Sequence, residues 1–478
     1  GLYKLEIGKL DIDLLSARIS LINAKLIPDS TLLLQLDKDK KAPDDVFILT
    51  VDRINIEGVS PAAFMQSRAL DLDTLIITNP NIEVFHTLRE YNKEKLKDTA
   101  SIGRRILKNI DRIKLNRLLI QDATLIHINT LKENHKNNLD SVTIDLQDIL
   151  IDSTTVLDTT RILFAKDIQI RMKNYELRTA DSVYSFKTEE VFISANKKDV
   201  QLKNVSFEPR ITRQEFVRRQ REVKELYTVR FEEVNFESVN WWQFANAEQL
   251  IADSVILKNG SLDVYCNRSK PAFSGSKIGN FPHQALMKLP FEVFIQHLDI
   301  ENFNIAYIEF NPRSEQEGTL SFKNANGSIK NITNIPAMIN LQPSMVATAR
   351  ASLLGLVPVF ATFSFNLPKA KEGEFSVDFE MKSIDAEKLN VVTHPLGMFS
   401  VKEGKINSLA ARINGNNYHA NGTVSLFYKG LKIVPLKLSG DDSGALKERG
   451  FLGFLANAFV VKSENIAGEE ARIARLQY

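Results

Sequence analysis

The groups with which this chain could do chemistry are seven histidines, one cysteine and scattered carboxylates. His86, His127, His135, His283, His297, His394 and His419 lie far apart, and none makes an i, i+4 pair with a second ligand, the spacing that holds zinc on one helix face. His127 falls on an apolar strand position, where a half-buried structural residue is expected. Cys266 is alone, which removes intrachain disulfides and thiolate zinc clusters. Acidic pairs such as Glu189–Glu190 and Glu232–Glu233 are adjacent within strand-like segments, so their side chains leave opposite faces. No Gly-x-Ser-x-Gly elbow, phosphate-binding glycine loop or dinucleotide fingerprint occurs. Two carboxylates meeting from distant loops stay open as a glycosidase arrangement. The expectation is otherwise a protein that is not an enzyme, with neither cofactor nor metal.

The elements that would have to position any site are repeated. A shift of about 180 positions lays Tyr3 on Tyr184, Leu21 on Leu202, Asn23 on Asn204 and Pro28 on Pro209. After one deleted residue, Asn55 meets Asn235, Glu57 meets Glu237, Phe64 meets Phe244 and Asn79 meets Asn259. Each copy holds a smaller echo: two apolar residues in alternation, then Asn or Asp, then two more positions three and five residues on. It reads Leu75–Ile77–Asn79–Ile82–Val84 and Leu118–Ile120–Asp122–Leu125–His127 in copy one. Copy two has Val255–Leu257–Asn259–Leu262–Val264 and Leu298–Ile300–Asn302–Ile305–Tyr307. The echoes are 43 residues apart in both copies.

Alternation with period two predicts half-buried strands. A hairpin turn at Asn259–Gly260 would pair Leu257 with Leu262 and keep both on one face. Asn79–Pro80 cannot make that turn, because proline cannot take its positive φ. A bulge restores the facing equally well, since one extra residue corrects the parity. Either way an apolar stripe forms on one side.

Bulk composition fits a folded chain: 44% hydrophobic and 25% charged among 478 residues. Lys+Arg at 61 nearly cancels Asp+Glu at 59, so no nucleic-acid partner is expected. Arg218, Arg219 and Arg221 are interleaved with Glu215, Glu222 and Glu225, as on a solvated helix face. Val359, Ala361, Phe363 and Phe365 alternate with Thr362 and Ser364, which predicts a strand rather than a membrane span. The chain opens at Gly1 without an initiator methionine, and a removed upstream segment is expected.

Short helices are expected from Ser60–Pro61 to Arg68, at the equivalent Asn240–Trp241, within 88–110, over 212–226 and over Arg449–Val460. The last is read as a cap on the sheet rather than a membrane-surface helix. Asn/Gly/Pro clusters near 267–283 and 324–337 read as loops. So few short helices cannot cover so many one-faced strands. The apolar faces must meet another sheet, fold over on themselves, or contact something other than protein.

The C-terminal third carries a family resemblance. Asp385-Ala-Glu-Lys-Leu389-Asn390, Pro395-Leu396, Gly404-Lys-Ile406, Gly422-Thr-Val-Ser-Leu-Phe-Tyr428 and Phe454-Leu455-Ala-Asn457 are similar to the C-terminal region of the AsmA-like proteins of Gram-negative envelopes. The opening Tyr3-Lys-Leu5-Glu-Ile7-Gly8 resembles the start of their mature portion. The resemblance implies a periplasmic body tethered to the inner membrane by a missing N-terminal helix, involved in lipid transport for outer-membrane biogenesis. Its phospholipid or other lipid partner would lie in an apolar β groove.

The combined expectation is a mainly β fold: an elongated, curved antiparallel sheet of duplicated repeats forming a groove, with a few short helices. Residues 1–180 would be copy one, 181–317 copy two and 318–478 the AsmA-like region. Leu75, Ile77, Leu118, Ile120, Val255, Leu257, Leu298 and Ile300 are the candidate lipid-contacting wall. The competing expectations are a closed β-sandwich scaffold or protein-docking module of the envelope, and a carbohydrate-binding or -cleaving solenoid of parallel coils with Trp241–Trp242 as its tryptophan site.

Overall fold

The computed structural model describes residues 2–13, 17–59, 68–92, 107, 110–129, 135–155, 158, 160–179, 181–276, 278–439, 445–448, 463–468 and 471–477. The helices expected at 60–67, over most of 88–110 and at 449–460 lie outside the described residues. The protein is mainly β, with a mixed sheet and few short helices. It divides into two units. The first is Gly1–Leu177, Lys187–Lys203 and Ser238–Ala247; the second is Arg178–Phe186, Asn204–Glu237 and Glu248–Tyr478.

In the first unit β1 (Tyr3–Asp13), β2 (Arg18–Pro28) and β3 (Asp45–Glu57) run antiparallel. Between β2 and β3 sits α1 (Ser30–Lys38), whose first turn is capped by the Asp29 carboxylate accepting from the N–H groups of Thr31 and Leu32. β4 (Ala69–Thr78) and β5 (Asn81–His86) are two halves of one line, both paired with β3. β6 (Arg112–Asn129), β7 (His135–Ile151) and β8 (Asp167–Arg178) follow. β9 (Tyr184–Ser194) and β10 (Asp199–Pro209) contribute residues to both units.

The second unit holds α2 (Arg213–Arg219) and β11 (Glu225–Glu237). Helix α3 (Trp241–Ala247) belongs to the first unit and leads into β12 (Gln249–Asn267) of the second. Next come α4 (Pro282–Leu286), β13 (Glu292–Asn311), β14 (Gln316–Thr333), α5 (Pro336–Leu341), β15 (Ser344–Leu353), β16 (Val357–Asn366) and β17 (Phe375–Met381). The unit ends with β18 (Ile384–Asp385), β19 (Phe399–Gly415), β20 (Ala420–Leu438), β21 (Leu446–Glu448) and β22 (Ile473–Gln477).

Two joints correct the expectation of antiparallel pairing throughout. β4 and β5 run parallel to β6, and β12 runs parallel to β13. The connections over 87–111 and 268–291 are long enough to carry the chain back for a parallel return. The 43-residue echo is the register of these joints: Leu75 lies beside Leu118, Ile77 beside Ile120, Val255 beside Leu298 and Leu257 beside Ile300.

The polar centre of each echo is a bulge, not a hairpin. Asn79, Asp122, Asn259 and Asn302 have φ of 50°, 52°, 50° and 52°, and β12 runs straight through Asn259–Gly260. Asn and Asp are the side-chain-bearing residues that tolerate this left-handed region best. Neighbouring strands slip at the same place. Asn259 faces Glu232 on one side and Asn302 on the other, in gaps of the two ladders. Asn259 donates from Nδ2 to Glu232 at 2.7 Å, Asn302 donates to Asn259 Oδ1 at 2.8 Å, and Asn326 Oδ1 accepts from the Asn302 N–H at 3.1 Å. In the first unit Asn79 donates to Asp52 at 2.9 Å. The same chemistry corrects the loop expected at 324–337. Asn324 and Asn331 are left-handed bulge residues, so β14 continues to Thr333.

Other expectations meet the coordinates directly. The stretch 212–226 is helical only to Arg219, and β11 begins at Glu225. Asn240 accepts from the Gln243 N–H at 3.1 Å at the start of α3, where the Trp241 and Phe244 rings meet edge to face. A mixed sheet is not a stack of parallel coils, which corrects the solenoid expectation. The duplication extends to side chains: Tyr3 Oη accepts from the Phe47 N–H at 3.4 Å, and Tyr184 Oη accepts from the Tyr227 N–H at 3.3 Å.

An Asn259→Val variant should lose about 1–2 kcal/mol of stability, because a β-branched side chain is forced into the left-handed region. Asn259→Gly should lose less. Urea unfolding midpoints of the two variants check this, and equal losses would refute the strain argument.

Candidate functional site

Side chains directly opposite one another on paired strands share a face. Following the register across the second unit therefore sorts residues by face. One row reads Val234, Leu257, Ile300, Gly327, Ala349, Ala361, Phe379, Ala411, Val424 and Ala474. A second row on that face reads Phe236, Val255, Leu298, Ile329, Ala347, Phe363, Val377, Ile413, Gly422 and Leu476. Both cross ten strands without a polar side chain. At ~4.8 Å between strands the strip is roughly 43 Å long.

The row between them points the other way: Asn235, Ile256, Asp299, Ser328, Thr348, Thr362, Asp378, Arg412, Thr423 and Arg475. Cross-strand polar contacts knit it together, with Ser328 and Thr348 hydroxyls 3.2 Å apart and Arg412 paired to Asp378 at 3.1 Å. The opposite face also holds a shallow polar recess lined by Ser344, Ser364, Asn366, Ser376, Asn414 and Asn421. The second unit's sheet is thus greasy on one side and hydrophilic on the other.

Packed ledges bound the apolar strip at both ends of its strands. One gathers Leu286, Val293, Met345, Phe365 and Leu367, with α4 and α5 contributing Leu286 and Ile339. His283 of α4 is fully buried there, 5.1 Å from the Phe365 ring, and neither ring nitrogen has a hydrogen-bond partner. Burial holds its pKa below the ordinary value near 6.5. Gln284 anchors the helix by donating to Asn417 Oδ1 at 3.0 Å.

The other ledge gathers Leu353, Val357, Val359, Met381, Ile384, Ala386, Val401 and Ile406. The Asp385–Pro395 motif builds it. Asn390 bonds both backbone groups of Val401 at 2.8 Å, while Asn311 and Ser314 donate to the Pro395 carbonyl at 2.9 and 2.7 Å. Along β15 the two ledges are marked by Met345 and Leu353, roughly 27 Å apart at ~3.4 Å per residue.

Between the ledges the floor is made of small residues: Gly327, Ala347, Ala349, Ala361 and Ala411. Ala349 is exposed and Phe363 is 37% exposed. Leu257, Leu298 and Ile300 are half-buried and Val255 is 3% exposed. Among the described residues no strand or helix of this unit packs on the middle of the strip.

The first unit repeats the arrangement over seven strands. Leu10, Leu21, Ile54, Ile77, Ile120, Ile144 and Ile170 form one row, and Ile12, Ile19, Ile56, Leu75, Leu118, Leu146 and Ile168 the next. Leu75 and Leu118 pack against a cluster of Leu115, Ile149, Ile151, Ala165 and Ile168, whereas Ile77 and Ile120 lie beside it, half-buried. All eight residues expected from the repeat therefore lie on apolar faces, four in each unit. The floor residues of β14 to β20 were missed, because Gly and Ala carry no hydrophobic periodicity; alternation with Phe363, Val377 and Ile413 was the available signal.

Catalytic or metal-binding geometry finds little material. Among the described residues no three His, Cys, Asp or Glu side chains gather as a metal site. Cys266 is buried, and burial pushes its thiol up, away from the reactive thiolate. Among the described residues no helix is long and apolar enough to cross a membrane. No protein-family model and no characterised protein matches the chain.

The buried neutral His283 has a pH consequence. The unfolded chain takes up a proton at this residue below about pH 6.5, and the folded chain resists it, so stability is held above that pH and lost as pH falls. Thermal melts between pH 7.5 and 5 should show part of this decline disappearing in His283→Leu, and an unchanged pH slope would refute the assignment.

Proposed function

We propose that the apolar strips hold the hydrocarbon of a lipid and that the chain is a non-enzymatic envelope protein of the AsmA-like kind. In this reading it works in the periplasm, tethered to the inner membrane in the full-length protein, and takes part in lipid transport for outer-membrane biogenesis. The observation that carries the reading is the pair of unbroken apolar rows over ten strands, floored by Gly and Ala and bounded by packed ledges. A sixteen-carbon acyl chain gains on the order of 13 kcal/mol on leaving water, at ~0.8 kcal/mol per methylene. Half a bilayer core is roughly 15 Å, so the strip is long enough to hold an acyl chain at several positions.

A floor without polar side chains gives such a chain no fixed register. Sliding along the rows meets only apolar, non-directional contacts, with no hydrogen bond to break. That suits a conduit or carrier better than a pocket selecting one headgroup.

The cluster around Leu115 supports a second reading for the first unit alone, in which its strip is partly structural core of an envelope scaffold. Under that reading lipid contact falls to the second unit.

Native mass spectrometry of the protein purified from membranes should detect copurifying lipid, and labelled vesicles should exchange lipid faster in its presence. Ala349→Glu or Ala361→Glu, each placing a carboxylate in the strip, should reduce bound lipid and transfer at least tenfold with the fold retained by circular dichroism. No lipid in the wild type together with no transfer would overturn the proposal.

A further inference from the structure

On the face of the second unit's sheet that turns away from the apolar strip, one aromatic residue stands among polar ones. The row next to Ser328, Thr348 and Thr362 reads Asn326, Arg350, Phe360, Glu380, Ala410 and Ser425. Phe360 is the one ring in either row and is 41% exposed. Among the described residues no other ring or guanidinium stacks on it.

Phe360 also separates Arg350 from Glu380. One row over, Asp378 and Arg412 are direct cross-strand neighbours and close an ion pair at 3.1 Å. Among the described residues Arg350 and Glu380 have neither an ion pair nor a hydrogen bond, although Arg350 is the lone charge between Lys330 and Lys369. The carboxylates of Asp299 and Glu301 on β13 are likewise without partners among the described residues. A face that elsewhere bonds its polar side chains to one another leaves these four open to an outside partner.

Three of the four line one recess of about 520 Å³, within the size range of small-molecule sites. Asp299 and Glu301 close its β13 side, Arg350 and Phe360 its β15–β16 side, and the hydroxyls of Ser328, Thr348 and Thr362 lie between. Beneath run Ile300, Gly327, Ala349 and Ala361, whose side chains leave towards the strip. A second recess of about 440 Å³ adjoins it over β11 to β13, with the bulge amides Asn259 and Asn302 in its lining. Together they cross six strands, roughly 24 Å at ~4.8 Å per strand.

These features match a saccharide. A pyranose has an apolar face of C–H groups, which suits the electron-rich face of the Phe360 ring, and a rim of hydroxyls that both donate and accept. Carboxylates take the donated hydrogens, the guanidinium gives to hydroxyl and ring oxygens, and Ser and Thr do either. The carboxylates of Asp299, Glu301 and Glu380 outnumber the Arg350 guanidinium, which disfavours phosphates and acidic sugars. Strands β13 to β16 are each paired on both sides, so an extended peptide would find no backbone ladder to join.

We propose that this recess binds a neutral saccharide chain, with one sugar ring stacked on Phe360 and further residues running along the bulge line towards β11. The site lies on the face opposite the apolar strip, uses neither Trp241 nor Trp242, and does not depend on what the strip holds.

Titration calorimetry with tetrasaccharides of glucose, of mannose and of N-acetylglucosamine should show binding of at least one, with a Kd below about 1 mM. Phe360→Ala should weaken it roughly tenfold with circular dichroism unchanged, and Phe360→Tyr should preserve it. Arg350→Gln should weaken it about fivefold. Absence of binding by all three tetrasaccharides overturns the proposal, and so does binding that survives Phe360→Ala at full strength. Binding of tetralysine without binding of any sugar would reduce the recess to an acidic surface and overturns it as well.

Discussion

Everything in this sheet depends on neighbouring strands slipping parity together. A strand of eighteen or twenty residues that takes a bulge turns its apolar residues to the other face, unless the next strand slips at the same point. Here Gly8 faces Asn23, Asp52 lies by Asn79, and Glu232, Asn259 and Asn302 stand in line. The side-chain amides and carboxylates at these points bond sideways to each other, so the bulges lock one another in register. Without that alignment Leu257 and Leu262 could not both serve one face, and each strand would turn its apolar residues from one face to the other at its bulge.

Much of the repeat architecture was legible because it is carried by apolar residues at fixed offsets. The 43-residue echo held the register of the parallel joints, although periodicity has no sign for strand direction and the pairing was read as antiparallel. Asn79–Pro80 narrowed hairpin and bulge without deciding between them, since both restore parity. Asn324 and Asn331 read as loop residues for the property that lets them stay inside β14: tolerance of positive φ. The floor of the second unit's strip left the weakest trace. Ala347, Ala349, Ala361 and Gly327 matter for the side chains they lack, and absence of bulk has no periodicity.

The ledges explain how an accessible apolar strip coexists with a stable sheet. Met345, Phe365 and Leu367 at one end, and Leu353, Val359 and Met381 at the other, are buried core residues of ordinary kind. Stability is concentrated where short helices and the Asp385–Pro395 segment pack, so the middle of the strip need not be closed. The polar reverse face of Ser, Thr and Asp–Arg contacts keeps that side wetted, and with it the hydrophobic driving force is confined to one surface.

The parallel joint between β12 and β13 also bears on how the second unit assembles. Antiparallel neighbours such as β13 and β14 are joined by a turn of a few residues and can zip from it, whereas Val255 reaches Leu298 only after 43 residues have been drawn back. Loop-closure entropy makes that seam the slow step. Hairpins from β13 onward can form first as a prefabricated block, and β11–β12 then docks as a second piece. A ribosome delivering the N-terminal piece early would hold it waiting, its long edge bare, until β13 emerges.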